Sequence, residues 1–519
     1  MAKENTGRNA FLVAAGILIS RISGLIRQRV FSHYFGQLDE ADAFYAAFKV
    51  PNLLQNLFGD GVLSASFIPV YSRLLAEQDE REAGRVAGAI GAILGLITSV
   101  IVLLGVLATP YLIWLIAPGF PEAKRELTIR LVRILFPGAG LLAFSAWSLG
   151  ILNSHRKFFL SYAAPVIWNV AMIATMLKFG GRDLSALAVY LAWGSVLGSA
   201  LQFGIQMPTV LALMSHLRFN LDTQAPKVRE VIRNFVPVFV SRGVVQISSY
   251  MDQIIASWLP KGAVSAITNA QSIYTLPVSL FGMAVSAAQL PAMSSTLGTD
   301  AEVNAALRGR LNTGLRQIAF FIVPSAMAFF TLGGVIAAAL YQGGKFTPAN
   351  SLYVWGIIAG SAVGLLASTL GRLYASTYYA LRDTRTPLRY AVVRVALTVG
   401  LGFVCALPLP RWIGIDPQWG AAGLTASAGV AGWVEFVLLR RSLNRRIGVT
   451  GLPVSFTAQL WASAAIGAVA AWIVKPAVSG WHPTAAAVPI LGAYGVVYFA
   501  ATYAFQVEEF AGFVRRLRR

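Results

Sequence analysis

Ile17-Leu18-Ile19-Ser20-Arg21-Ile22-Ser23-Gly24-Leu25-Ile26 lies inside the first long apolar stretch of the chain, Phe11 to Phe35. Its pattern returns as Val238-Phe239-Val240-Ser241-Arg242-Gly243-Val244-Val245-Gln246-Ile247. Arginine is costly here: at mid-membrane a charged residue costs roughly 2.5 to 3.5 kcal/mol on insertion scales, so it faces a cavity or a water path. At about 100° per residue, with Arg21 as zero, Ser20, Gly24 and Arg27 fall near −100°, −60° and −120°. Leu18, Ile19, Ile22, Leu25, Ile26 and Val30 occupy the arc from about +40° to +180°. One face is small and cationic, the other oily. Snorkelling of the two arginines to opposite interfaces is the competing reading, but six residues separate them by only about 9 Å along the axis. The pattern predicts a cavity lining that accepts anions.

The rest of the chain fits a membrane setting. It has 519 residues, of which 56% are hydrophobic and 12% charged, and its mean hydropathy is +0.64. Such a composition excludes an ordinary soluble globule. Apolar runs of about 20 residues recur about fourteen times, each long enough to span. They centre near Leu18, Leu54, Leu103, Leu142, Val170, Gly198, Val244, Leu280, Phe329, Leu365, Leu397, Ala428, Ile466 and Tyr494. The run around Val170 is the weakest, being short and holding Pro165 and Asn169. The expected fold is an all-α polytopic membrane protein.

The net charge of +20 invites a nucleic-acid reading, but the basic residues concentrate in alternate loops, such as Arg81 and Arg85, Arg156 and Lys157, and Arg382 and Arg385. That is the positive-inside pattern; it places both termini in the cytoplasm and predicts an even number of spans. Cys405 is the single cysteine, so neither an intrachain disulfide nor a thiolate metal site is available. The first apolar run is interrupted by arginines and lacks a small-residue cleavage site, which reads as a retained helix rather than a signal peptide. No nucleotide-binding, metalloprotease or nucleophile-elbow motif occurs, and His33, His155, His216 and His482 are scattered, as if in loops. Catalysis and ATP hydrolysis are disfavoured, leaving a coupling cation, sodium or proton, or the membrane potential as the energy source.

The repeated Ser-Arg step marks a duplication with an offset of about 220 to 230 residues. Prolines follow each copy, Pro51 and Pro69 in the first, Pro277 and Pro291 in the second, as static kinks or as hinges. The parse is an N-lobe over residues 1–220, a C-lobe over 221–447, and two further helices in 448–519. With an even number of spans per copy, the halves relate by an axis along the membrane normal, and rocking of one lobe against the other gives alternating access.

Further candidates are charges near or within spans. Asp252, ten residues and about 15 Å along the same helix from Arg242, reads either as a cation-coupling acid or as a partner of an arginine of the opposite lobe. Asp42 reads as a helix cap or a site residue, and Asp60 and Lys49 as a pair or as site residues. Arg133, Arg372 and Arg394 lie near span ends and suit snorkelling. Glu435 suits pairing with Arg440 or Arg441. The Arg440 to Arg446 cluster and the Arg515 to Arg519 tail suit anionic headgroups.

Ser20 to Arg27, then Ala41-Asp42-Ala43-Phe44, then Ala47-Phe48-Lys49-Val50-Pro51-Asn52-Leu53-Leu54 and Gly61 to Pro69 resemble the opening of the MurJ (MviN) lipid II flippase family. The resemblance continues more weakly over nearly the whole chain. It implies the multidrug/oligosaccharidyl-lipid/polysaccharide exporter superfamily, with fourteen helices in two six-helix lobes, a cationic central cavity, and a last helix pair that forms a groove for a polyprenyl tail. By position it implies that Arg21 and Arg27 contact a diphosphate or sugar headgroup, that Asp42 and Asp60 are cavity acids, and that Asp252 couples a cation. The implied substrate is lipid II, a polyprenyl-diphosphate lipid, moved across the bacterial inner membrane for cell-wall synthesis, with membrane lipids and cell-wall synthesis proteins as companions. The chain departs from the family at Gln28, where an acid is expected, at Gln55, where an arginine is expected, and at Gln271-Ser272, where an acid-arginine pair is expected. Arg242 is a candidate for the missing cavity cation. These departures leave open another polyprenyl-diphosphate-linked glycan as substrate. A cation-coupled small-molecule antiporter would want an acid-dominated cavity, and a noncatalytic scaffold would need no buried arginines.

Overall fold

The computed structural model describes residues 2–58, 60–214, 219–286, 289, 293 and 299–517; the side chains of 2–14, 60, 61, 237, 238, 240–249, 300 and 513–517 lie outside that description. The chain forms two compact units, Met1–Val264 and Ser265–Arg519. The first holds α1 (Ala2–Phe35), α2 (Asp39–Phe58), α3 (Asp60–Ala76), α4 (Glu80–Ile116), α5 (Glu122–Ser154), α6 (Phe158–Phe179), α7 (Leu184–Leu213) and α8 (Pro226–Ser257). The second begins in the first turn of α9 (Ala263–Pro277), which runs into a π-helical segment, Val278–Met283. It continues with α10 (Asp300–Tyr341), α11 (Pro348–Ala380), α12 (Arg385–Ala406), the short α13 (Pro408–Trp412), α14 (Gly420–Ile447), α15 (Val454–Ala477), α16 (Pro483–Ala504) and α17 (Glu508–Leu517).

The fold is all-α and polytopic, as the hydropathy requires. Among the described residues ten helices, α4 to α7, α10 to α12 and α14 to α16, are each long and apolar enough to cross a membrane. The expected fourteen is compatible with these together with α1, the α2–α3 pair, α8 and the α9 segment. The weakest expected span, around Val170, is α6, a 22-residue helix that keeps Pro165 inside it. The expected span around Leu54 falls in α2 and α3, which are described on either side of residue 59. Pro51 and Pro69 each remain inside a helix. The first unit runs to Val264 and includes α8, which packs against α2, α3 and α4.

In the first unit α5 packs on α2, α4 and α7, while α6 joins α1 to α7. Phe67, Tyr71, Trp147 and Leu152 anchor an apolar core that α8 completes with Val228 and Val231. Polar links hold the helices where apolar contact alone has little drive in lipid. Ser145 of α5, for example, donates to Gln206 and accepts from Gln202 of α7, both at 2.9 Å. The oily outer faces follow helical periodicity: Leu18, Ile22 and Ile26 of α1, and Leu197, Leu201 and Ile205 of α7, are exposed, as residues facing acyl chains should be. The oily arc assigned to α1 from sequence is therefore its outer face.

In the second unit α11 packs on α10 and α14, and the α15–α16 pair packs on α10. Pro324 inside α10 has no N–H for the carbonyl four residues before it. That carbonyl, of Phe320, accepts instead from the Tyr498 hydroxyl of α16 at 2.6 Å, and Tyr494 donates to the Pro324 carbonyl at 2.6 Å. A backbone group freed in hydrocarbon must find such a partner. Where α11 crosses α14, a Cβ on Gly364 would come within 2.3 Å of the Gly429 Cα. Backbone meets backbone there, so no rotamer change relieves it. Gly364→Val is expected to lower the thermal midpoint of the detergent-solubilised chain, by the 1 to 3 kcal/mol typical of overpacking or more. Gly492→Ala, with nothing within 4 Å of the added carbon, should leave it unchanged or raise it. Equal melting of the two variants would contradict the crossing.

Candidate functional site

The small face of α1 meets α6. Ser23 is buried, accepts from Asn169 Nδ2 at 2.9 Å and donates to the Ser20 carbonyl at 2.8 Å. A Cβ on Gly24 would sit 4.0 Å from the same Asn169 nitrogen. Ser20 and Gly24 thus belong to the α1–α6 contact. Arg21 is on the exposed side of α1. Arg27 is turned the other way, its guanidinium carbon 4.6 Å from the centre of the Trp168 ring. The indole is itself fixed, donating to the Ser195 carbonyl of α7 at 3.1 Å. Gln28, Phe31, Phe44, Tyr45, Phe48 and Met172 complete the walls of a cavity of about 30 Å³ around Arg27, room for a water or two. A guanidinium stacked on an indole keeps its in-plane N–H fork directed outward from the ring, the geometry that suits phosphate oxygens.

The second polar surface is one face of α2. Asp42, Tyr45, Lys49, Asn52 and Asn56 recur at three- and four-residue intervals, which aligns them along one stripe of a helix whose other polar residues are Asp39, Glu40 and Gln55. Gln28 of α1 donates to the Tyr45 hydroxyl at 2.6 Å. Lys49 lies 5.9 Å from the Tyr250 ring centre, and the Tyr250 hydroxyl donates to the Lys49 carbonyl at 2.9 Å. Asp252, half-buried on α8, attracts Lys49 electrostatically. The acid singled out for ion coupling therefore lies near enough to a lysine of its own unit to attract it.

Asp42, at the start of this stripe, is buried in a knot of charges. It accepts from Lys124 Nζ at 3.0 Å and from the Gly262 N–H at 2.8 Å. Lys124 reaches Asp39 at 2.7 Å and Lys261 reaches Asp39 at 3.3 Å. Gly262 has φ +86 and its backbone lies against Gln37, where an added Cβ would be 2.7 Å from a carbonyl oxygen. The knot ties the starts of α2 and α5 to the α8–α9 turn at one end of the unit. Asp42 lies inside α2, where it satisfies buried donors from α5 and from the α8–α9 turn; its described partners do not include Arg27.

The side chains of Asp60, Ser241 and Arg242 lie outside the described residues. One expected pairing and one expected headgroup contact differ. Glu435 pairs with Arg394 of α12 at 3.3 Å, not with Arg440 or Arg441. Five or six residues along a helix turn the side chains well apart, and Arg394, expected to snorkel, is the neighbour that Glu435 faces. Arg440 donates to the Thr450 carbonyl at 2.9 Å, and Arg446 pairs with Asp383 at 2.7 Å, so both are engaged within the protein rather than left for headgroups. His33 lies in the last turn of α1, not in a loop. The partners that sequence reasoning missed are Trp168, Tyr45, Tyr250 and Lys124. The periodic stripe on α2 was a signal for Tyr45; nothing local marks the other three.

Comparison with known proteins gives a consistent result. A family model described as lipid II flippase MurJ matches residues 31–491. A probable lipid II flippase MurJ of Rhizobium tropici is 31% identical over 445 residues, 84% of this chain and 80% of that protein. Among solved structures, a lipid II flippase MurJ in an inward closed conformation superposes with a TM-score of 0.77 at 23% identity, covering 98% of this chain and 100% of that one. An inward-facing multidrug-resistance transporter of the MATE family, in the MOP superfamily, gives 0.62 at 18% identity over 84% of this chain and 98% of its own. The two superpositions speak to the fold.

The Asp42 knot makes a stability prediction. Lys124→Met strands a buried carboxylate, Asp42 having a side chain only 2% exposed, and loss of one partner of such a pair costs about 3 to 5 kcal/mol. The double variant Asp42→Asn with Lys124→Met should recover much of the loss in thermal melts. A double variant as unstable as the sum of the singles would show that the two groups are not coupled.

Proposed function

The chain belongs to the lipid II flippase MurJ family, and from that premise we propose that it carries lipid II, the lipid-linked peptidoglycan precursor, from the inner to the outer leaflet by alternating access. Membership makes it a transporter rather than an enzyme, and a multi-pass protein of the bacterial inner membrane. The observation that carries the substrate reading is Arg27, an arginine held inside a membrane helix bundle on the face of Trp168. A permanently charged fork in that setting suits a diphosphate. In this reading Arg21 and Arg242 add positive charge along the headgroup's path, and Asp42, through its knot, sets the turns that position α2. The α15–α16 pair holds the polyprenyl tail, and both termini are cytoplasmic.

Asp252 is the coupling candidate in the same reading. Its attraction to Lys49 gives a device in which a cation, sodium or proton, competes with a lysine for one carboxylate, so that loading the cation releases α8 from α2. A second reading, another polyprenyl-diphosphate-linked glycan, is favoured by one observation: Gln28, where the family resemblance expects an acid, is spent as a donor to Tyr45, so the polar lining near Arg27 differs from that pattern.

Expression of the chain in cells depleted of their own lipid II flippase is expected to sustain growth. Arg27→Ala should abolish rescue with membrane levels unchanged, and Arg242→Ala should weaken it. Rescue by Arg27→Ala equal to the parent would overturn the diphosphate role, and failure of the parent despite normal membrane insertion would favour the other glycan.

A further inference from the structure

A second cavity, of about 580 Å³, lies between α5 and α7, lined by Glu126, Arg130, Arg133 and Ile134 of α5 and by Val189 and Trp193 of α7. We propose that it binds the headgroup of an acidic phospholipid, in the leaflet on the side of the α4–α5 turn. This site is separate from Arg27 and from the polar face of α2, and its assignment does not rest on the transported substrate.

Depth is fixed by the sequence of α5. From Ile134 to Ser154 no residue is charged, a stretch of about 30 Å that matches the hydrocarbon thickness of a bilayer. Arg133 stands at one boundary of that stretch and Arg130 one turn outside it, at the level of lipid phosphates. His155-Arg156-Lys157 marks the other boundary.

The direction in which the cavity opens follows from exposure. Glu126, Arg130 and Arg133 are exposed on one stripe of α5 with Pro137. Across from them Trp193 is 58% exposed and heads the line of exposed Leu197, Leu201 and Ile205 on α7. A line of large apolar residues at four-residue spacing is a lipid-facing stripe, and a tryptophan at its end is the usual interfacial anchor. On α4, Tyr111 and Trp114 are exposed near the same end. The cavity therefore opens to the bilayer.

Charge then selects the occupant. Among the described residues neither Arg130 nor Arg133 has a carboxylate within 4.0 Å, and Glu126, one turn from Arg130, pairs with neither. A lone interfacial arginine snorkels to water. Two guanidinium groups three residues apart, lining a concave space whose apolar walls are Ile134, Val189 and Trp193, present cations beside an apolar surface. That is the profile of an anionic headgroup with acyl chains attached; a zwitterionic lipid gains little from the two cations, and a soluble anion gains nothing from the apolar surface.

The test is native mass spectrometry of the purified full-length chain with equimolar phosphatidylglycerol and phosphatidylethanolamine. The parent should retain phosphatidylglycerol preferentially. Arg130→Gln with Arg133→Gln should cut its retention roughly tenfold or more, since each basic residue near anionic lipid contributes about a factor of five. Phosphatidylethanolamine retention and the melting curve should not change, and the double lysine variant, Arg130→Lys with Arg133→Lys, should recover most of the binding. Unchanged phosphatidylglycerol retention in the double glutamine variant would overturn the site. So would equal loss of both lipids, or displacement of the lipid by millimolar inorganic phosphate, which would make the ligand a soluble anion.

Discussion

Hydrocarbon offers no hydrogen bonds and little dielectric relief, so a polar or charged side chain carried into it has to be answered by the protein itself. In the first compact unit that demand converges on one face of α2. Tyr45 takes the amide of Gln28 from α1, Lys49 meets Tyr250 and the charge of Asp252 from α8, and Asp42 gathers Lys124 and the Gly262 N–H. Each of these links crosses from α2 to another element. The stripe thus both satisfies its own polar groups and sets where α1 and α8 stand, which in turn fixes how Arg27 meets Trp168.

The same constraint acts on the backbone of the second unit. Pro324 leaves a carbonyl without its helical donor, and Tyr498 supplies one from another helix. Where no polar link is needed, glycine permits close approach, as at Gly364 against Gly429. Bilayer-spanning helices gain little from oil against oil, so such bonds and close crossings do much of the selecting.

The all-α class and the oily face of α1 were legible in the sequence, because mean hydropathy and a 3.6-residue period report directly on the solvent. The exposed Leu18, Ile22 and Ile26 are those that the helical count turned outward. Partners were harder. Glu435 looked ready to meet the arginines that follow it, yet rotation about the helix carries those away and Arg394 answers instead. Asp42 looked like a cap or a cavity acid, and its buried role depends on Lys124 and Gly262, 82 and 220 residues away. Period and hydropathy describe one helix against its solvent; which charge meets which is decided by tertiary packing between helices distant in sequence.

The central claim is that Arg27, seated on Trp168, serves passage of a lipid diphosphate. Its most direct test is a proteoliposome assay in which lipid II placed in one leaflet becomes accessible to a membrane-impermeant probe on the other side. Vesicles with the purified chain should expose lipid II well above protein-free vesicles, and those with Arg27→Ala should not. Equal exposure by the two, or exposure no greater than in protein-free vesicles for the parent chain, would contradict it.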